Sequence, residues 1–246
     1  MGFFKITTKE GPGVSKDEAR SPTLIRFFKV LGAHFWQMVV LNALYVFACI
    51  PIVTIGPATA GLTYVLRNFS QGKPVEPFND FFWKCKEHFK QGVIVTIFNI
   101  VFIAAALFAA YAWSSDEMQV SSLFRTVALV VVFFVMIIWV FANYYIYPLM
   151  VSFDLPLRKI VRNSVILGGY TLGRNILMTI VSVGIFTLCF FLFPFSVMII
   201  LFFAFSFCTL VNQFCTFPVL VKYVAKPIEK KNGGEDDAIF NDDRIL

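Results

Sequence analysis

The stretch PIVTIGPATAG, residues 51–61, decides the fold, because it places two prolines and two glycines inside a long apolar run. Proline removes a backbone N–H and disrupts the interior of a helix, and glycine tolerates sharp backbone corners. We expect the prolines to limit helix on both sides and Gly56 to relax the corner between them. The stretch therefore predicts a turn between two helices, formed by Pro51, Thr54, Gly56, Pro57 and Ala58.

The composition around this turn is that of a membrane protein. Hydrophobic residues make up 58% of the 246 residues and charged residues only 15%, whereas soluble domains carry about 25% charged residues. The charges are also segregated, and long charge-free intervals lie at 30–66, 91–115, 126–153 and 175–221. Each interval has room for an apolar helix of about 20 residues. The sequence therefore predicts an all-α, polytopic helical membrane protein.

We predict six transmembrane helices, of which the second is short. They lie roughly at 29–50, 57–70, 91–113, 123–150, 174–193 and 195–222. The transmembrane helical domain thus occupies 21–225, after a polar N-terminal segment at 1–20 and before a charged tail at 226–246.

The distribution of lysine and arginine orients these helices. Six of the 21 cations precede residue 30, five lie in 67–90, one is Arg125, four lie in 150–175 and five follow from Lys222 onward. If the chain turns back at 51–57, all of them except Arg125 fall on one side, as the positive-inside rule requires. We therefore predict a multi-pass protein of the cell membrane with both termini cytoplasmic and with 51–56 and 113–122 outside.

Short amphipathic segments precede the odd-numbered spans. In FNDFFWKCKEHFK the aromatic residues recur at helical spacing, and in FDLPLRKIVRNSV the aliphatic residues share one face opposite three cations. Asn79 and Asp154 are the expected N-caps of these two helices. Basic amphipathic helices of this kind lie in the membrane interface, so the chain is expected to form three units, each an elbow followed by a helical hairpin. The elbow residues expected to make contacts are Phe81, Phe82, Phe89, Leu157, Ile160 and Val161.

The even-numbered spans carry a second regularity. The segment NYYIYPLMVSF at 143–153 aligns without gaps to QFCTFPVLVKY at 213–223. Each contains a proline that frees the backbone carbonyl four residues earlier. The polar groups and kinks of the bundle are Asn143, Tyr145, Pro148, Asn212, Gln213 and Pro218. One interpretation is a polar pocket or hinge, and the other is a kink whose loose carbonyls are satisfied by neighbouring side chains.

The sequence contains no recognisable catalytic, phosphate-binding or metal-binding motif. We find no charged residue in the interior of a predicted span, no phosphate-binding glycine loop and no histidine or cysteine pair at metal-ligand spacing. We therefore expect no catalytic residues, no metal, no cofactor and no nucleic-acid partner, only the lipid bilayer and other proteins.

Two motifs resemble a known family. The turn matches the pattern Pro-x-x-Thr-x-Gly-Pro-Ala, and NDFFWKCKEHFKQG at the head of the next span matches an aromatic elbow that ends in Phe-Lys-Gln. Both are similar to the YesL family of multi-pass bacterial membrane proteins. The resemblance implies a non-catalytic accessory membrane subunit of an ATP-binding-cassette importer for oligosaccharides. Its implied partners are the permease subunits and, indirectly, a solute-binding protein and the ATPase.

Two other functions stay open at this point. The chain could itself be a permease subunit, although LPLRKIVRNSVILGGY lacks the acidic start and the small-residue pair of the loop with which such subunits dock on the ATPase. It could also be an independent carrier or channel, for which the spans supply no charged ion site.

Overall fold

The computed structural model describes residues 23–114 and 121–225, and every regular element in these ranges is helical. The expected polar segment 1–20 and charged tail 226–246 lie outside the described residues, as does most of the loop at 113–122. The helices are α1 (Thr23–Ala33), α2 (Phe35–Ala48), α3 (Ile55–Gln71), α4 (Pro77–Glu87), α5 (Phe89–Ser114), α6 (Ser122–Ser152), α7 (Leu157–Tyr170), α8 (Leu172–Phe191) and α9 (Ser196–Val224). The segment Ile200–Ala204 inside α9 is π-helical, and a second π-helical segment, Val221–Ala225, overlaps its C-terminal end.

Four of the described helices are long and apolar enough to cross a membrane, namely α5, α6, α8 and α9. The pair α1 and α2 would supply a fifth span, although it is bent by 76°. At this bend the His34 ring stacks on Phe69, with centroids 4.2 Å apart. The predicted count of six spans is not confirmed, because the second predicted span corresponds to α3, which has 17 residues.

The chain turns back between α2 and α3. After α2 ends at Ala48, Pro51 precedes a short 3-10 segment, Ile52–Thr54, and α3 then begins at Ile55. The Thr54 hydroxyl lies 2.5 Å from the carbonyl oxygen of Ala48, at the end of α2. It also lies 2.6 Å from the carbonyl oxygen of Pro51, which accepts the Thr54 backbone N–H at 3.0 Å. This side chain therefore connects the end of α2 to the turn.

Gly56 has a different role from the one that the sequence suggested. It does not relax the corner but lies in the first turn of α3, directly against Gly92 of α5. A Cβ atom at Gly56 would lie 2.0 Å from the carbonyl oxygen of Gly92. Gly61, one turn and a half further, approaches α4 in the same way, with 2.7 Å between an added Cβ and the carbonyl oxygen of Phe81. Glycines thus bring the backbone of α3 against two helices at once.

The two elbow helices begin at other residues than the predicted N-caps. Glu76, not Asn79, precedes α4, and Pro156, not Asp154, precedes α7. In α4 the Asp80 carboxylate accepts a hydrogen bond of 3.0 Å from the backbone N–H of Glu76, which supplies the cap from inside the helix. In α4, the rule that a small polar residue precedes a helix failed because the side chain of Asp80, one turn later, reaches back.

The predicted apolar face of α4 is divided between two environments. Phe81 is fully buried against α3, whereas Phe82 points outward with 40% of its surface exposed. Phe89 lies beyond α4, as the first residue of α5, and is 45% exposed. In α7, Ile160 is fully buried, Leu157 and Val161 are half-buried, and the cations lie on the exposed face.

Buried residues are concentrated at one end of the molecule. The core joins α2, α3, α4 and α7 to the second half of α6 and to α9, around large side chains such as Tyr64, Tyr145 and Leu149. None of the described residues between 97 and 141 is buried. We call the described residues 97–114 and 121–141 the distal hairpin; each arm is about 27–31 Å long at 1.5 Å per residue. The hairpin thus has the thickness of a bilayer core.

Candidate functional site

The first of the predicted polar groups, Asn143, ties α6 to α5. Its side-chain carbonyl accepts a hydrogen bond of 3.0 Å from Asn99, and its own amide donates to the backbone of Trp139 at 3.0 Å. The Trp139 indole N–H donates to the Asn99 side chain at 2.8 Å. Three polar side chains therefore satisfy one another where the distal hairpin leaves the core.

Tyr145 ties α6 to the junction of α7 and α8. Its hydroxyl lies 2.5 Å from the hydroxyl of Thr171 and donates to the Asn175 side chain at 3.0 Å. Asn175 in turn donates to the backbone carbonyl of Gly168 at 2.6 Å. Since Tyr145 and Asn175 are both fully buried, this network fixes the direction in which α8 leaves α7.

The two prolines differ in their surroundings. Pro148 is buried in α6, and the Tyr144 carbonyl that it frees accepts a hydrogen bond of 3.2 Å from Asn212 of α9. This contact agrees with the second interpretation of the sequence, in which a neighbouring side chain hydrogen-bonds to the carbonyl that the proline frees. Pro218 is exposed, close to the π-helical end of α9. Gln213 is 1% exposed, and its amide nitrogen has no hydrogen-bond partner within the described part of the chain.

The predicted polar groups therefore do not converge on one pocket. Asn143, Tyr145 and Asn212 each join α6 to a different partner, namely α5, the α7–α8 junction and α9. Their common function is to hold three other helices around the second half of α6.

Sequence reasoning missed a further buried amide, Asn42 of α2. Its side-chain nitrogen donates to the carbonyl oxygens of Ile200 at 2.9 Å and Leu201 at 2.8 Å, and its oxygen accepts from the Ser206 N–H at 2.8 Å. These backbone groups flank or belong to the π-helical segment of α9. A π-helical turn leaves regular i→i−4 groups without partners, and Asn42 supplies both a donor and an acceptor for them. One asparagine in an apolar run gave no signal in the sequence.

The second feature that the sequence did not reveal is a cluster of buried charges between α3 and α4. Arg67 is 1% exposed, Asp80 1% and Lys84 0%. The Arg67 guanidinium and the Lys84 ammonium approach the ring of Tyr64 at 5.0 and 4.8 Å from its centroid. Lys84 also makes an ion pair of 2.8 Å with Glu87. Cations flanking an aromatic ring and pairing with a carboxylate are a usual way to bury charge.

Arg67 also binds the end of α6. Its guanidinium donates hydrogen bonds to the backbone carbonyl of Val151 at 2.8 Å and to the hydroxyl of Ser152 at 3.0 Å. Asn68 accepts two further hydrogen bonds from it, at 3.2 and 3.3 Å. A cation at this position stabilises the negative end of the α6 dipole. Arg67 lies three residues before the end of the second predicted span, 57–70, and this position was the only hint of its burial.

Ionisable groups beside this cluster have shifted pKa values. Burial lowers the pKa of His88, and the nearby Lys84 lowers it further, while Glu87 acts in the opposite direction. Burial also raises the pKa of Cys85 to about 12, which keeps this thiol protonated at neutral pH. Nowhere in 23–114 or 121–225 do three or more His, Cys, Asp or Glu residues form a group that could hold a metal ion.

A groove with a volume of about 680 Å³ lies between the distal hairpin and α8. Its lining is aliphatic and aromatic, except for the Thr179 hydroxyl, which is bonded to Tyr144 and to the backbone of Asn175. Ala106 and Ala110 contribute small side chains one helical turn apart on α5. Small residues at this spacing allow close approach of a helix within a bilayer.

Comparison with known protein families finds a match to part of the chain. The model of the family described as "Protein of unknown function, DUF624" matches residues 38–110, from α2 to the distal part of α5. This range contains both segments that resemble the YesL family. No curated protein matches the chain, and no solved structure matches it.

Proposed function

We propose that this chain is a non-catalytic accessory membrane subunit of a bacterial ATP-binding-cassette importer for oligosaccharides, which acts through helix packing with the permease subunits. The substrate class and the importer rest on the resemblance of the turn and the aromatic elbow to the YesL family. The mode of action rests on the distal hairpin and its groove.

The main support for a role in packing against permease helices is the lack of burial along the distal hairpin. In the most apolar 18-residue window of α6, none of the residues is buried, and in that of α5 only 11% are. Within lipid, helices associate by close packing rather than by hydrophobic exclusion. The groove, with Ala106 and Ala110 on one wall, offers a partner helix a concave surface in which such packing is available.

Loss of the protein is the first test of this function. We expect a deletion strain to take up a particular oligosaccharide poorly while it grows normally on monosaccharides. Radiolabelled uptake and growth on a panel of oligosaccharides measure this effect. Normal import of all oligosaccharides, together with no permease in material purified in mild detergent, would show that the accessory role is wrong.

Substitutions in the groove connect the function to the surface. Ala106→Trp fills the groove and is expected to remove the permease from the purified material and to lower uptake to the level of the deletion strain. Ala105→Trp is the matched control, because Ala105 is exposed on the same helix and does not line the groove. Equal loss in both variants would contradict a role of the groove.

The exposed elbow provides a second contact variant. Phe82→Asp changes an outward side chain of α4 and is expected to weaken the same association. Leu157 is less suitable, because it is half-buried against the core and its replacement would test folding as well. If Phe82→Asp leaves both co-purification and uptake unchanged, α4 is not part of the partner surface.

The orientation in the cell membrane is proposed from charge alone. We place both termini, 67–90 and 150–175 in the cytoplasm, because Arg125 is the one cation outside those segments. A single cysteine at Ser115, with the native cysteines replaced, should react with a membrane-impermeant thiol reagent in intact cells, and one at Asn232 should not. The reverse labelling pattern would invert this orientation.

A further inference from the structure

The exposed face of α7 is divided along its length into a cationic half and an apolar half. Arg158, Lys159 and Arg162 are exposed in the first half of the helix. Ile166 and Tyr170 are exposed to 57% and 72% in the second half. The helix contains three cations and no acidic residue, and the exposed Asp154 lies before it in the chain.

The opposite face of α7 fixes this surface against the core. Ile160 and Ser164 are fully buried, and Gly168 approaches α6, where an added Cβ would lie 3.2 Å from the backbone nitrogen of Ala142. The cations therefore cannot rotate inward to the core, and they stay on the outer surface of the molecule.

The apolar half of α7 continues directly into the membrane. One residue, Thr171, separates α7 from α8, which is one of the candidate spans. Arg162 precedes Leu172 by about 15 Å of helix, at 1.5 Å per residue. At the end of α7, the Tyr170 ring contacts that of Tyr223 with 5.2 Å between centroids, and the Lys222 ammonium lies 5.1 Å from the Tyr223 ring. Tyrosines and cations of this kind are typical of the headgroup region.

We propose that the exposed face of α7 binds anionic phospholipid headgroups in the leaflet at which α8 begins. Arg158, Lys159 and Arg162 contact the headgroup phosphates, while Ile166 and Tyr170 lie along the upper acyl chains. The cationic half of α7 is followed by its apolar half, and a phospholipid likewise has a charged headgroup followed by apolar acyl chains. This match favours a lipid over an acidic protein as the ligand. This inference is independent of the proposed transport function.

The test compares two lipids that differ only in charge. The full chain, purified in a neutral detergent, is titrated with phosphatidylglycerol and with phosphatidylcholine of identical acyl chains, and bound lipid is counted by native mass spectrometry. Each basic residue near a membrane surface adds roughly a fivefold preference for anionic lipid. We therefore expect the native chain to bind phosphatidylglycerol at least about tenfold more tightly.

Charge-matched variants locate the site. Arg158→Gln with Arg162→Gln leaves only Lys159 and should reduce the preference for phosphatidylglycerol to about fivefold, whereas Arg158→Lys with Arg162→Lys should retain most of the native preference. Lys86→Gln with Lys90→Gln removes the same charge from exposed positions near α4 and should leave the preference unchanged. Melting temperatures in lipid-free detergent confirm that all three variants fold.

Three outcomes would overturn the proposal. One is equal affinity of the native chain for the two lipids. Another is an equal loss in the Lys86 and Lys90 variant, since the effect would then follow net charge. The third is a Gln variant of Arg158 and Arg162 that binds both lipids like the native chain but loses a co-purifying acidic protein, which would assign the surface to that protein.

Discussion

Gly56→Ala is expected to reduce strongly the yield and stability of the folded protein, even though alanine is the better helix former. Its Cβ would lie 2.0 Å from the Gly92 carbonyl oxygen and 2.5 Å from the Thr96 hydroxyl. The gain in helix propensity is about 1 kcal/mol. Overpacking in a well-packed core costs about 1–3 kcal/mol and occasionally more, and here the obstacle is backbone, which cannot change rotamer. The clash therefore outweighs the propensity.

The measurement is the apparent melting temperature and the monodisperse yield in mild detergent. Gly184→Ala is the matched control, because it lies within α8 and an added Cβ would meet nothing within 4 Å. This control should equal or exceed the native protein in stability. Native-like behaviour of Gly56→Ala would show that α3 and α5 are not in backbone contact at this position.

Arg67→Met is expected to have the second-largest effect on stability. Methionine keeps much of the apolar stem but removes the donors to the Val151 carbonyl and to Ser152, and it removes the cation from the ring of Tyr64. Leaving a buried acceptor without its donor costs about 1–3 kcal/mol. The variant also loses the cation–π contact and the interaction with the helix dipole. We therefore expect the free energy of unfolding to fall by roughly 3 kcal/mol or more.

Two comparisons separate this effect from a general effect of charge. Lys86→Met removes an exposed cation from α4 and should change the melting temperature little, since surface substitutions are usually within about 0.5 kcal/mol. Arg67→Lys keeps the charge but not the planar fork of donors, and it should lie between the native protein and Arg67→Met. If Arg67→Met melts at the native temperature, Arg67 does not hold the end of α6.

Much of the site described here could not be read from the sequence. Asn143 and Asn212 were visible, because each is a polar residue in an apolar helix within six residues of a proline. Asn42 was not visible, because its partners Ile200 and Leu201 lie about 160 positions away and are backbone carbonyls, which every residue possesses. Any residue type can supply a backbone carbonyl, so the residue types at the partner positions do not reveal such a hydrogen bond.

The amphipathic helix α4 shows a related limit of prediction from the sequence. The spacing of Phe81, Phe82 and Phe89 indicated a helix but not which aromatic residues face inward. The structure buries Phe81 against Gly61 and exposes the other two. Since the surface of this helix also exposes aromatic side chains, hydrophobicity alone does not separate a residue in the core from one on the surface.

The sequence by itself determined the class of this protein and the position of its main turn. Charge-free intervals long enough to cross a bilayer follow from the cost of placing charge in lipid, and the turn after Ala48 follows from the conformational limits of proline. Both are local properties, so a single chain reveals them.

Only the tertiary structure decided the number of candidate spans and the role of Gly56, Arg67 and Asn42. The apolar segment at 57–70 has the composition of a short span, yet 14 of the 17 residues of α3 are buried among other helices. Apolar composition is the same for a helix in lipid and for a helix inside protein. Which of the two surrounds it depends on packing between residues that are distant in the chain.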